Sequence, residues 1–479
     1  MSSINSLHPP LGDTVEPRRW TMLAILLCGI FLAPLDFFIV NVALPAIQHE
    51  LHATSAQLQL IISTFAASYA VFLIIGGRLG DLYGRSRVFT IGLLGFVASS
   101  IMCGLAPTIT FLIVGRALQG LSAAVMVPQG LATVNVIFPA QEKPRAFSVY
   151  AATYGFASAA AQIIGGLLIS LDILHLGWRA IFLLNVPVGI AVVCIATPVL
   201  PKLAGLTGRK LDVKGVILLA LALASLIVAL IEGREAGWPW WSFGLLVVAF
   251  PLLLLGFWKH EQRVARGGWP LVDPEALRIP SVRLGLGAAL FFYSIAVMFL
   301  LLAIYLQDGL GEDPFTAGLR FAPFGIGFFL GPLCAPRATR ITGAWTVVLA
   351  LLVEVAALLA AAWEVWSALP GSTAALVPLL FLIGFGQGLA MPMLLRVILA
   401  EAPAHLSGLM SGMINSTFQI SAALGVAVIG SVYYAWLGAG TGPGAIGPAF
   451  AVALVCVAAC LGVSALLLAM MIRTKKAAA

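Results

Sequence analysis

Apolar runs long enough to cross a bilayer recur along the whole chain and leave only short polar gaps. About fourteen of them fall near residues 20–44, 57–77, 87–106, 109–133, 146–170, 179–200, 213–232, 241–259, 284–307, 315–336, 344–366, 374–395, 407–436 and 448–472. A helix of about 20 apolar residues spans the hydrocarbon core. In lipid each segment must satisfy its own backbone hydrogen bonds, so runs of this length fold as helices. The pattern predicts an all-α polytopic membrane protein. Composition agrees: of 479 residues, 61% are hydrophobic and 9% charged. A water-soluble surface needs roughly a quarter charged.

Charge orients the spans. With the N-terminus inside, 22 of the 26 Lys and Arg fall in inside segments. Only Arg179 and Arg234 fall outside, while Arg116 and Arg320 lie within spans. The positive-inside rule then places both termini in the cytoplasm and supports an even number of crossings. The net charge of +7 sits in these gaps and forms no stripe along one face, so nucleic acid is not an expected partner. The first run follows Arg18 and Arg19, continues for about 25 residues and is succeeded by further spans. It reads as a first transmembrane helix rather than a cleaved signal.

Several chemistries find no support. Six cysteines lie inside apolar runs, at neither disulfide-framework nor zinc spacing, and the six histidines fall in the tail or in loops. No metal site is expected. The chain carries no GxxxxGK[ST] phosphate loop and no nucleophile–base constellation. It is not expected to be an enzyme. No cofactor is expected, and an ion gradient remains as the energy source. One charge crossing 100 mV is worth about 2.3 kcal/mol.

A weak repeat suggests two parallel halves. Span 4 contains ALQGLSAAVMVP (117–128) and span 12 contains GFGQGLAMP (384–392), each with Gln-Gly-Leu shortly before a proline. Spans 1–6 and 9–14 then form two six-helix halves, with spans 7 and 8 inserted. The expected organisation is a tail at 1–19, a first half at 20–200, the inserted pair at 201–259, a cytoplasmic loop at 260–283, a second half at 284–472 and a tail at 473–479. Parallel repeats of this kind occur in secondary transporters, with the solute site near mid-membrane between the halves.

The most distinctive local segment is GGRLGDLYGRSR (76–87), between spans 2 and 3. Its glycines permit a tight turn and close helix approach. The segment resembles the signature loop of the major facilitator superfamily. LDFFIVNVALP (35–45), VGRALQG (114–120), WRAIFLLNVPVG (178–189), LDVKG (211–215) and YLQDGLGEDPFTAGL (305–319) resemble, in order, blocks of its fourteen-helix drug:proton antiporter family. The resemblance covers nearly the whole chain. It implies a major-facilitator fold in a bacterial cytoplasmic (inner) membrane, with alternating access. It further implies proton-coupled efflux of lipophilic, cationic drugs. The partners implied are those substrates, protons and the bilayer. No motif points to accessory efflux subunits.

The same resemblance assigns candidate residues. Asp36, within span 1, would bind a proton or a cationic solute but not both strongly, and that competition couples two fluxes. Its alternative is a structural pairing with Arg116. A charged side chain at that depth costs about 2.5–3.5 kcal/mol on insertion scales, so it must pair or work. Arg116 resembles a buried arginine associated with proton coupling, and otherwise ties helices by satisfying carbonyls. Gly76, Gly80, Asp81, Gly84 and Arg85 form the gating latch, in which Asp81 is expected to pair across the halves. Glu354, midway along span 11, could carry a proton, although the repeat matches span 11 to span 3, a peripheral helix in this superfamily. Expected cavity residues are Asn41, Gln119, Tyr150, Tyr154, Gln162, Phe292, Tyr293, Gln387, Met391, Asn415, Phe418 and Gln419. Aromatic faces among them can hold lipophilic cations.

Two departures keep a rival open. Arg320 stands where the family block is apolar. It either snorkels or draws an anionic solute. In YGFASAAAQIIGG (154–166), Ala161 and Gln162 replace the glycine-proline pair that the family carries before two glycines. The rival is a uniporter or symporter of a specific, anionic metabolite. A membrane sensor or scaffold would need a soluble domain, and the longest loop, about 259–283, is too short to supply one.

Overall fold

The structure is a computed structural model, which describes residues 17–139, 141–200, 211–268, 270–367, 375–401, 407–438, 440 and 442–478. Lys202, Arg209, Lys210 and most of the N-terminal tail lie outside the described residues. The described residues are helical and contain no strand. The first group of spans is α1 (Arg19–Leu51), α2 (Ser55–Tyr83), α3 (Arg85–Gly104), α4 (Ile109–Ile137), α5 (Lys143–Leu171) and α6 (Gly177–Val199). Two further spans follow, α7 (Val213–Glu235) and α8 (Trp240–Val264). The second group is α9 (Pro280–Gly309), α10 (Ala322–Thr342), α11 (Thr346–Ser367), α12 (Leu376–Leu399), α13 (Ser407–Leu437) and α14 (Pro443–Ala478).

Thirteen described stretches are long and apolar enough to cross a membrane, and one of them, Pro314–Ser367, runs for 54 residues. A straight helix of that length would measure about 81 Å. Instead the chain turns at Gly343, whose φ of +60° ends α10 and lets α11 start at Thr346. That stretch therefore crosses twice, and the total is fourteen. An even number places the two chain ends on one side of the bundle, called here the terminal side.

The repeat in the sequence is a repeat in the packing. In the first half α4 packs on α2 and α3, and α1 on α5; in the second, α12 packs on α10 and α11, and α9 on α13. The halves meet through α2 on α13 and through α5 on α10, a reciprocal pair of contacts. The inserted α7 lies against both α2 and α13, with α8 outside it. Small residues set the closest approaches. A Cβ at Gly76 would run into the Ala124 carbonyl and one at Gly120 into that of Phe65. In the second half Gly384 and Gly388 meet the carbonyls of Phe324 and Phe328 in the same way. Backbone contact of this kind is the main means of helix association in lipid, where burial of apolar surface gives little drive.

Candidate functional site

Asp36 lies on α1 about 25 Å along the helix from its first turn, near mid-membrane. It is fully buried and ion-paired with the fully buried Arg116 of α4. The pair is completed by neighbours on three more helices. Gln119 and Asn185 donate to Asp36 Oδ1 at 2.9 and 2.8 Å, and both also reach Ser100 Oγ. Arg116 donates through Nη1 to Gln119 Oε1 at 2.8 Å and through Nε to the Ile61 carbonyl at 3.2 Å. Its guanidinium lies 4.3 Å from the centre of the Phe65 ring. Thus the structural pairing of Asp36 with Arg116 is present. Gln119, expected on the cavity wall, instead belongs to this cluster. Sequence reasoning missed Asn185 and Ser100. Asn185 stood in the block WRAIFLLNVPVG as the one amide in an apolar run, which is the signal that could have found it.

The second half repeats the device with different donors. Gln387, in the second Gln-Gly-Leu, sets its amide against Glu354; with the amide nitrogen assigned to that side, which the acceptor-only surroundings require, it donates to both carboxylate oxygens, at 3.0 and 3.3 Å. Both residues are buried where α11 packs on α12. In each half the glutamine of Gln-Gly-Leu binds a buried acid, and the glycine after it touches a neighbouring backbone. Gln387, also expected on the cavity wall, therefore lies within its own half. Arg320 pairs with Glu312, Nη2 to Oε1 3.0 Å. Because Glu354 sits away from the seam between the halves, Glu354→Gln should keep at least about half of wild-type efflux, since the amide preserves shape and leaves a polar partner for Gln387. A fall to background in vesicles would bring Glu354 into the transport machinery.

On the side remote from the termini the seam is closed. Gln307 of α9 donates to the Val42 carbonyl of α1 at 3.0 Å. Gly166 of α5 abuts Pro314, and Gly318 abuts the Gln162 backbone. Phe38 and Phe299 meet across the seam with ring centres 4.7 Å apart. The departures in α5 acquire a role here. Gln162 is buried and donates to the Phe38 carbonyl at 2.9 Å, tying α5 to α1, while Ala161 is buried beside it. Asn41 is buried too and donates back to its own helix at Phe37 and Phe38.

Toward the terminal side of this plug lies a cluster of aromatic side chains from both halves. Tyr69 (α2), Tyr150 and Tyr154 (α5) and Tyr293 (α9) are electrostatic neighbours here. The Tyr150 and Tyr154 rings are 5.9 Å apart. Tyr293 opens a 3₁₀ turn, Tyr293–Ile295, that breaks α9 and brings the ring against Phe418 of α13, centres 6.0 Å apart. Phe292 and Phe418 are buried behind it. Met391, Asn415 and Gln419 are half-buried. Asn415 donates to the Ser411 carbonyl at 2.8 Å, and Gln419 Oε1 is buried without a donor. The sequence reading missed Tyr69. The titratable neighbours of the Tyr150, Tyr154 and Tyr293 hydroxyls are other tyrosines.

The loop between α2 and α3 turns on Gly84, at φ +91°. Asp81 meets Arg85 one turn on, at 3.3 Å. Arg85 also donates to the Ala132 carbonyl on α4. Gln129 of α4 donates to the Gly76 carbonyl at 2.6 Å, in space that a Cβ at Gly80 would occupy. Arg78 donates to the Pro270 carbonyl in the segment that leads into the second half.

Comparison with known proteins agrees with this architecture. The sequence profile of the Major Facilitator Superfamily matches residues 26–426. A probable actinorhodin transporter of Streptomyces coelicolor is 35% identical over 89% of this chain and 74% of its own length. The multidrug resistance protein Stp of Mycobacterium tuberculosis is 33% identical over 86% of this chain and 75% of its own. Among solved structures, a bacterial homologue of the human lysosomal transporter Spinster superposes with a TM-score of 0.69 at 18% identity, covering 96% of this chain and 98% of that one. Fourteen crossings in two repeated halves, an aromatic cluster at their seam and these relatives together make the chain a member of the Major Facilitator Superfamily whose relatives are antibiotic and multidrug efflux transporters.

Proposed function

We propose that this protein exports lipophilic compounds, cations among them, across the bacterial cytoplasmic membrane in exchange for protons. Both termini lie in the cytoplasm in this reading. The observation that carries it is the aromatic cluster between the halves, with Tyr69, Tyr150, Tyr154 and Tyr293 in it, which in this reading walls a substrate chamber. Ring faces attract lipophilic cations at about 0.5–2 kcal/mol each, and the hydroxyls donate to or accept from a polar edge. The relatives' names, a probable actinorhodin transporter and a multidrug resistance protein, support export of drug-like cargo. Asp36 and Arg116 are the proposed coupling pair, because protonating Asp36 would release Gln119, Asn185 and Arg116 from one carboxylate at once. Closure of the far side makes this conformer one end of the rocking cycle, and latch contacts around Asp81 and Arg85 bias that equilibrium. The anionic-metabolite reading has less to stand on, since Arg320 is paired with Glu312 and Arg116 with Asp36.

The test is fluorescent-dye efflux from cells, and dye uptake by inverted vesicles, with an uncoupler control. Collapse of the proton gradient should stop transport. Transport indifferent to the uncoupler, or proton movement in the same direction as the dye, would sink the antiport reading. Within the chamber, Tyr154→Phe should raise KM for some dyes about 3- to 10-fold, the value of one hydrogen bond. Unchanged KM across a dye panel would remove Tyr154 from the binding wall.

A further inference from the structure

Where α7 begins and α8 ends, on the terminal side, three ligating side chains converge that no part of the transport reading uses. They are Asp212, His260 and Glu261, and one ligand atom from each lies within 4.8 Å of the others. Glu261 is fully buried and Asp212 nearly so. Half of their oxygens are already bonded. Asp212 Oδ1 accepts the Gly215 amide at 2.9 Å, capping α7, and contacts His260 Nε2 at 2.6 Å. Glu261 Oε2 accepts the Val272 amide at 2.9 Å. The remaining two oxygens, Asp212 Oδ2 and Glu261 Oε1, are both buried, and among the described residues no donor reaches either.

These two oxygens lie side by side against Gly215. A Cβ built on Gly215 would stand 2.5 Å from Asp212 Oδ2 and 2.6 Å from Glu261 Oε1. Both oxygens therefore pack against the Gly215 backbone, and a side chain at 215 would displace them. Two ionised carboxylates buried this close repel each other, so either a cation or a shared proton must lie between them. Among the described residues, the basic ones adjacent in sequence, Lys214, Lys259 and Arg263, are exposed.

We propose that Asp212, Glu261 and His260 bind a divalent transition-metal cation, Zn²⁺ or Mn²⁺, at the terminal end of the inserted helix pair. Two carboxylates and one imidazole suit such an ion, with water completing the sphere. The ion would clamp α7 to α8. Through Glu261 and the Val272 amide it would also anchor the segment after Pro270, whose carbonyl accepts from Arg78 of the α2–α3 loop. The inserted pair, the linker into the second half and the latch loop would then be held at one point. The site is independent of the nature of the cargo.

The test uses the full chain purified in detergent, stripped with a chelator and dialysed against Zn²⁺, Mn²⁺ or Mg²⁺. Metal content and thermal unfolding are measured for wild type, Glu261→Gln and Asp212→Asn. Wild type should retain about one Zn²⁺ or Mn²⁺ per chain and unfold at higher temperature when loaded. Either variant should weaken binding at least about tenfold and lose the thermal shift. Should Glu261→Gln fail to accumulate, His260→Gln, at a partly exposed position, replaces it. Metal retained no better than Mg²⁺, equal binding by wild type and variants, or a wild type whose stability responds to pH but to no metal would overturn the proposal. The last result would show a proton shared between the two carboxyls instead.

Discussion

Asp36→Asn should reduce gradient-driven efflux at least about tenfold while the protein still inserts. Insertion follows the apolar length of α1, and an amide at mid-membrane costs less to insert than a carboxylate. The variant keeps an oxygen for Gln119 and Asn185 to donate to, so the cluster holds its shape. It loses the negative charge, and Arg116 stays fully buried without its counter-ion. Breaking such a pair costs about 3–5 kcal/mol, which should appear as a lower unfolding temperature in detergent. Two roles for Asp36 then separate in counterflow, where labelled solute exchanges for unlabelled solute with no net proton movement. A coupling carboxylate predicts that counterflow survives while efflux is lost. A purely structural tie predicts that both fall together. Efflux at wild-type level would end the case for Asp36 as the coupling group.

Gly76→Val should abolish accumulation of folded protein, whereas Gly77→Val, one residue on, should be nearly silent. A Cβ at Gly76 would enter the Ala124 carbonyl, a backbone atom of α4 that cannot rotate away. At Gly77 the same atom meets nothing within 4 Å. Forcing α2 from α4 would also break the bond from Gln129 to the Gly76 carbonyl and disturb the Phe65 contact at Gly120. Overpacking costs about 1–3 kcal/mol where side chains can adjust, and here the obstacle is backbone. Membrane-fraction levels and detergent melting curves of the pair provide the measurement. Equal behaviour of the two variants would refute the close approach of α2 and α4.

Some of this was legible in one dimension. Lipid imposes a length and an apolar composition on every span, and both are local properties of the chain. Hence the fourteen runs correspond to fourteen crossings, and the break at Gly343 fell in the gap left between two runs. The Gln-Gly-Leu strings in α4 and α12 were visible as a repeat, and the halves do pack alike. The glycine turn at Gly84 followed from the motif. The resemblance to the superfamily rested on the order of such blocks.

What Gln119 and Gln387 do was not legible. The spans are apolar on nearly every face, so hydropathy does not say how each helix is rotated about its axis. That rotation decides whether a polar side chain faces the chamber or its own half. It carried Gln119 to Asp36 and Gln387 to Glu354, brought Asn185 and Ser100 to the same carboxylate, and turned Tyr69 toward Tyr154. Asp212 and His260, 48 residues apart, carry no metal-site spacing. They meet because α7 and α8 return the chain to the same membrane face. By itself the sequence determined how many times this chain crosses the bilayer and in what order its conserved-looking blocks occur. The tertiary structure decided which buried charges face one another, because the direction of a side chain in lipid is set by packing between helices and not by the solvent around them.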